Sequence, residues 1–171
     1  MVLACLFSLA VSVPAAPAKL TEGQVKSAYL LNFAQYAEWP HASFPDAGTP
    51  LVISVLGKSS YLSAFDALTD RTVHKRRAQV RFISRIEELG DSHILFICAS
   101  EKGQLSRILN SLKSEAVLTV SDIKDFTDAG GMIGLVPKDG RLAFEINMKA
   151  ARRADIKLSS HLLRLAVAIR E

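Results

Sequence analysis

Gly57-Lys58-Ser59 is the first place where residue types and spacing could do chemistry. It follows an apolar run and resembles the end of a phosphate-binding loop. Such a loop needs a glycine five residues before Gly57, so that flexible backbone amides can wrap the phosphates. That position is Val52, inside the apolar run, so the triplet reads as a strand end, a turn glycine and a serine cap. No GxGxxG run for a dinucleotide and no GxSxG run for an exposed serine nucleophile occurs. His41, His74, His93 and His161 are scattered, without an HxH or HxxxH pair that could begin a metal site. His93 and Cys98 share an apolar run but are five residues apart. On one strand they face opposite sides, about 16 Å apart, too far for a thiolate–imidazole pair. Ser121-Asp122 reads as a turn after a strand. No catalytic constellation and no cofactor motif emerges, so the expectation is a protein that is not an enzyme.

Other residues point toward binding. Arg71, Lys75, Arg76, Arg77, Arg81 and Arg85 form a basic run with no acidic residue between them. It reads as a solvated basic face, or as a contact for an acidic protein or lipid headgroups. A second group, Lys149, Arg152, Arg153 and Lys157, reads as helix-end charge. Phe33, Tyr36 and Trp39 suit a helix packed on the core. Trp39 is the one placed to reach a partner, because tryptophan is enriched among interface anchors.

The elements that must position these groups follow from the rest of the chain. Its 171 residues carry 21 Lys+Arg and 17 Asp+Glu, a formal net charge of +4, with 49% apolar and 22% charged residues. That composition excludes disorder as the main state. The length fits one domain, which buries roughly 70% of its unfolded surface without needing disulfides or metals. Residues 1–18 (MVLACLFSLAVSVPAAPA) carry no charge and end in small residues, which suits a secretory signal peptide cleaved after Ala18. The basic start of such a peptide is missing, and an uncleaved anchor or a lipidated Cys5 are the alternatives. Pro14 and Pro17 cut the run below the ~20 apolar residues of a spanning helix. The expectation is export, with a single domain over residues 19–171 and Cys98 as its one cysteine. Export argues against nucleic acid as a partner.

Thr21 and Gln24 form a capping-box pattern for a helix carrying Val25, Tyr29, Phe33 and Tyr36, which Pro40 stops after Trp39. Strand and helix signals then alternate. Strands are expected at 51–56, 80–83, 93–99 and 116–120, and helices at 59–68, 86–89 and 102–112. Strands apolar on both faces, separated by helices, predict a parallel sheet covered on both sides. Residues 132–136 and 141–147, joined through Asp139-Gly140, predict a hairpin. The return strand alternates, with Leu142, Phe144 and Ile146 on one face and Arg141, Ala143, Glu145 and Asn147 on the other, as expected of a half-exposed edge. Ser159 and Ser160 cap a last helix running through Ile169. The fold class is α/β: a three-layer Rossmann-like sheet, mostly parallel, with a C-terminal antiparallel hairpin and flanking helices.

Five segments in order carry a family resemblance: 28–40 (AYLLNFAQYAEWP), 117–123 (VLTVSDI), 130–133 (GGMI), 141–147 (RLAFEIN) and 157–166 (KLSSHLLRLA). With them the chain resembles the YfiR family of periplasmic proteins from about Gln24 to Ala168. The resemblance implies a non-enzymatic periplasmic regulator that dimerises and represses an inner-membrane diguanylate cyclase, YfiN. It also implies an outer-membrane lipoprotein, YfiB, that sequesters the repressor, with cyclic-di-GMP and biofilm formation as the output. Disulfides are associated with one branch of that family. With Cys98 alone, only an interchain bridge is open here. The expected partner surface is the hairpin's exposed face, Arg141, Glu145 and Asn147, with Trp39 as an anchor. A plain ion pair of Glu145 with Arg141 or Arg152 is the alternative use of that carboxylate. A second functional reading is a small-ligand sensor or carrier, its site at the carboxyl ends of the strands near Gly57, Ser84 and Ser100.

Overall fold

The computed structural model describes residues 20–171, so the expected signal peptide lies outside the described residues. Helix α1 (Glu22–Tyr36) starts on the anticipated capping box: Gln24 N–H donates to Thr21 Oγ1, and Thr21 N–H donates to Gln24 Oε1. The helix ends three residues before Trp39. Ala37 turns extended and, with Glu38, forms β1 (Ala37–Glu38), which pairs antiparallel with β9 (Lys157–Leu158). Pairing with a distant segment thus decides the end before Pro40 can.

The main sheet has eight strands. They are β2 (Leu51–Leu56), β3 (Thr72–Val73), β4 (Arg76–Ile83), β5 (Ile94–Ile97), β6 (Leu118–Ser121), β7 (Ile133–Lys138), β8 (Arg141–Asn147) and β10 (Ala168–Arg170), in the order β10-β8-β7-β6-β5-β2-β4-β3. From β4 to β7 neighbours run parallel, β7–β8 is the predicted antiparallel hairpin, and β10 lies parallel to β8. The chain leaves β2 for β4 on one side and returns to β5 on the other, so the strand order reverses between β2 and β5. Four short helices complete the layers: α2 (Ser63–Asp66), α3 (Leu105–Ser111), α4 (Met148–Arg153) and α5 (Ser160–Leu165). None of the described helices is long and apolar enough to cross a membrane.

The sheet divides two cores. In β5, Ile94 and Phe96 join the larger core under α1 with Leu30, Phe33, Phe65 and Phe144. Leu95 and Ile97 face the smaller core with Leu56, Ile108 and Leu109 of the α3 side. Continuous apolar strands therefore serve both faces, as a parallel sheet requires. Gly131 closes one corner, where a Cβ would stand 2.2 Å from the Phe126 ring.

Four further expectations are corrected. The return strand β8 is not an edge, because β10 covers its outer side. The last helix stops at Leu165 instead of continuing through Ile169. Ala166 takes extended geometry, Val167 N–H donates to the Phe144 carbonyl at 2.9 Å, and β10 follows. An open strand edge offers Val167-Ala168-Ile169 a ladder, which suits β-branched residues better than another helical turn. The helix expected over 59–68 is only α2, and β4 starts at Arg76 because β3 folds back on it through His74 and Lys75, both at positive φ.

Candidate functional site

Two ends of the sheet carry the chemistry-bearing side chains. At the carboxyl ends of β2 and β5, where the strand order reverses, Gly57 turns with φ +95°. A Cβ there would lie 2.4 Å from Ser100 Oγ. Ser100 Oγ accepts from Lys58 N–H at 2.9 Å and donates to Glu101 Oε1 at 2.8 Å. Gly57 and Ser100 thus hold the turn together. Beside them lies a cleft of about 310 Å³ lined by Ser84, Arg85, Glu87, Glu101, Gln104 and Arg107, among others. Arg85 pairs with Glu88 at 3.1 Å and Arg107 with Glu87 at 3.4 Å. These groups can hydrogen-bond a small polar molecule. None of them pairs a nucleophile with a base.

Next to this crevice sits a buried charge cluster that sequence reading missed. Lys26 of α1, its side chain 3% exposed, donates to Glu22 and to Asp122 Oδ2, the latter at 2.5 Å. Tyr61 Oη donates to the same Asp122 oxygen at 2.6 Å, and the ammonium lies 4.0 Å from the Tyr61 ring centroid. Burial pushes the Lys26 pKa down, but hydrogen bonds to Asp122, Glu22 and Tyr61 outweigh it and hold the ammonium above its ordinary range. Tyr61 is raised by burial and by Asp122. The cluster clamps the start of α1 onto the end of β6. Lys26 and Asp122 are 96 residues apart, so no local motif announces them. One signal was available: the buried stripe of α1 runs through Gly23, Lys26, Ser27, Leu30, Phe33 and Ala34, which puts a lysine on the core face. Cys98, just past β5, is 0% exposed. Burial first, then the charges of Asp122 and Glu101, push its thiol up to about 12. An interchain bridge through Cys98 would require this end of β5 to unpack.

At the opposite end of the strands, His93 is fixed by its partners. Val52 N–H donates to Nδ1 at 3.1 Å, and Nε2 faces the Ser43 carbonyl at 2.9 Å. That pairing needs the neutral ring with its proton on Nε2, and burial lowers the pKa accordingly. Phe44 stacks on His93 with centroids 4.1 Å apart. Trp39 is half-buried here, and its Nε1–H donates to the His93 carbonyl at 3.0 Å. Its ring packs edge-on against Phe44 and His93. Trp39 therefore forms part of the wall of a recess.

Two of the three residues of the expected partner face on β8, Glu145 and Asn147, make contacts within the fold. Glu145 accepts from Thr127 Oγ1 at 3.1 Å and from Arg170 at 2.9 Å. Its ionic partner is Arg170 of β10, neither Arg141 nor Arg152, and Arg152 pairs with Glu171 at 2.7 Å instead. Asn147 caps α4, accepting from Ala150 N–H at 2.9 Å, while its Nδ2 donates to the Thr127 carbonyl. Arg141 stays exposed at the hairpin tip. Besides Leu20 and Phe82, the exposed large apolar side chains are Leu165 (56%), Val167 (37%) and Ile169 (42%), alternate residues leading into the edge strand β10.

Known structures share the architecture. A conserved domain protein from Vibrio cholerae aligns with TM-score 0.54 and 10% identity over 89% of this chain and 61% of its own. The ABC domain in complex with L-Trp from Streptococcus pneumoniae aligns with TM-score 0.51 and 11% identity over 70% of this chain and 55% of its own. The chain thus spans between about half and three-fifths of these structures, and at such identities they show the fold alone. A comparison with curated proteins gives no match. The YfiR/HmsC-like family matches residues 23–167, nearly every described residue. The chain belongs to the YfiR/HmsC-like family, a regulatory, non-catalytic and generally periplasmic family associated with cyclic-di-GMP signalling.

Proposed function

We propose that this chain is an exported periplasmic regulator that binds and represses a membrane signalling partner, a YfiN-like diguanylate cyclase, and so lowers cyclic-di-GMP. The family match over residues 23–167 carries this reading. Repression of this kind needs only differential affinity: the regulator binds the inactive receptor more tightly than the active one. Moving a receptor from 1:99 to 99:1 takes about 5.5 kcal/mol of such difference, within reach of a protein interface. The surface we assign to it is the β10 edge with Leu165, Val167 and Ile169, an open strand rim with a row of apolar side chains. Homodimerisation and sequestration by a YfiB-like outer-membrane lipoprotein belong to the same reading. Calorimetry of residues 19–171 against the periplasmic segment of a YfiN-like cyclase from the same organism tests it. A Kd near micromolar or tighter supports it, and no heat at high concentration contradicts it.

The cleft of about 310 Å³ beside the strand reversal favours one second reading, a small-ligand sensor. A ligand bound there would raise Tm with concentration. Substituting Gln104 or Arg107 would remove that shift.

A further inference from the structure

The basic run read from the sequence has a place in the fold that partner repression through β10 does not use. It lies at the far end of the sheet, in the β3–β4 hairpin. Arg71, His74, Lys75 and Arg77 are exposed there. Asp70 faces Arg77 at 3.6 Å, with both side chains mostly in solvent, while Arg71 and Lys75 have no ion pair among the described residues. Arg76 is different. Its guanidinium covers the Phe44 ring at 4.2 Å and donates to the carbonyls of Asp46 and Thr49 at 2.8 and 2.7 Å, which fixes the loop before β2.

That loop and the hairpin enclose a cleft of about 420 Å³. Trp39, Phe44, Leu51 and Val73 give it apolar walls, and Glu38, His74 and Arg76 line it as well. β3 is the terminal strand of the sheet, with no strand outside it among the described residues. The same small region therefore offers three things: a short open strand rim, a recess with apolar walls and room for an apolar side chain, and cations that outnumber the nearby carboxylates Glu38, Asp46 and Asp70. A flat lipid surface would meet protruding cations but would leave the recess empty. An extended chain can use all three.

We propose that the β3–β4 hairpin and its cleft dock an acidic, extended polypeptide segment of a partner. One apolar side chain enters the recess against Trp39 and Phe44, and flanking carboxylates meet Arg71, Lys75 and Arg77. The proposal rests on reading this chain as a partner-binding regulator, and it adds a second contact surface and the chemistry of what fits it.

Trp39 is the sole tryptophan of the chain, so its fluorescence reports on the recess directly. The probe is a ten-residue peptide of Asp and Glu with one central Leu, titrated into residues 19–171. The expected result is a saturable change in Trp39 emission that weakens with salt. Binding should weaken about fivefold when the Leu becomes Ser, and about tenfold in Arg71→Glu/Lys75→Glu. Both substitutions lie on the exposed surface, and an unchanged Tm checks the fold. No saturable change, or equal affinity in the double variant, overturns the proposal. So does a response to phosphatidylglycerol vesicles with none to the peptide. A cyclase segment that binds wild type and double variant alike refutes this surface and leaves the regulator reading intact. Peptide binding without cyclase binding does the reverse.

Discussion

The polar interior and the open rims of this molecule are built on opposite terms. Inside, Lys26 and Tyr61 both donate to Asp122 Oδ2, Glu22 reaches Lys26 from the surface, Asp122 Oδ1 is left without a partner among the described residues, and His93 spends both ring nitrogens on Val52 and Ser43. Ser54 and Ser92 share a bond at 2.6 Å. At the rims, Leu165, Val167 and Ile169 lie exposed at one end of the sheet, and Arg71 and Lys75 at the other. Burying an unpaired polar group costs far more than a surface pair returns. The inner groups are therefore committed to stability and the outer ones are free for contact.

Substitutions should separate the two classes cleanly. Lys26→Met has the largest expected effect, because it leaves Asp122 charged in a mostly buried site. The cost should be about 3–5 kcal/mol in urea unfolding, and Lys26→Met/Asp122→Leu should recover much of it. A loss under 1 kcal/mol would place the cluster among the weak surface pairs. His93→Phe should cost about 2 kcal/mol, since the buried Val52 N–H loses its acceptor. The pH dependence has a defined sign. The folded-state pKa of His93 is lowered, so its contribution is complete above the unfolded value of about 6.5 and is lost as pH falls through the folded value. Unfolding at pH 7 and pH 5 should therefore differ more in wild type than in His93→Phe. Glu145→Gln weakens a half-buried contact with Arg170 and should cost about 1 kcal/mol. Its effect on partner affinity should be small, which calorimetry would show. Leu165→Asp/Ile169→Glu should change stability by no more than about 0.5 kcal/mol, read from the same urea curves.

Much of the architecture was legible because it is local. The capping box at Thr21, the apolar runs of β2, β5 and β6, and the Asp139-Gly140 hairpin each carry their own signal. What could not be read depends on distant partners. β1 and β9 are two residues each and exist because they meet. Residues 168–170 continue a leucine pattern that suits a helix, and only the free side of β8 turns them into a strand. The same change brings Arg170 to Glu145 and gives β8 a neighbour on its outer side. Trp39, expected as a partner anchor, donates to the His93 carbonyl and lines a cleft, a placement that depends on a residue 54 positions away.

The most direct test of the central claim is calorimetric titration of residues 19–171, wild type and Leu165→Asp/Ile169→Glu, with the periplasmic segment of a YfiN-like cyclase. The account predicts a wild-type Kd near micromolar or tighter, about −8 kcal/mol, and at least about tenfold weaker binding by the variant at unchanged stability. Equal binding by both proteins would show that the β10 rim is not the repressor's surface, and absence of binding by wild type would contradict repression of that partner.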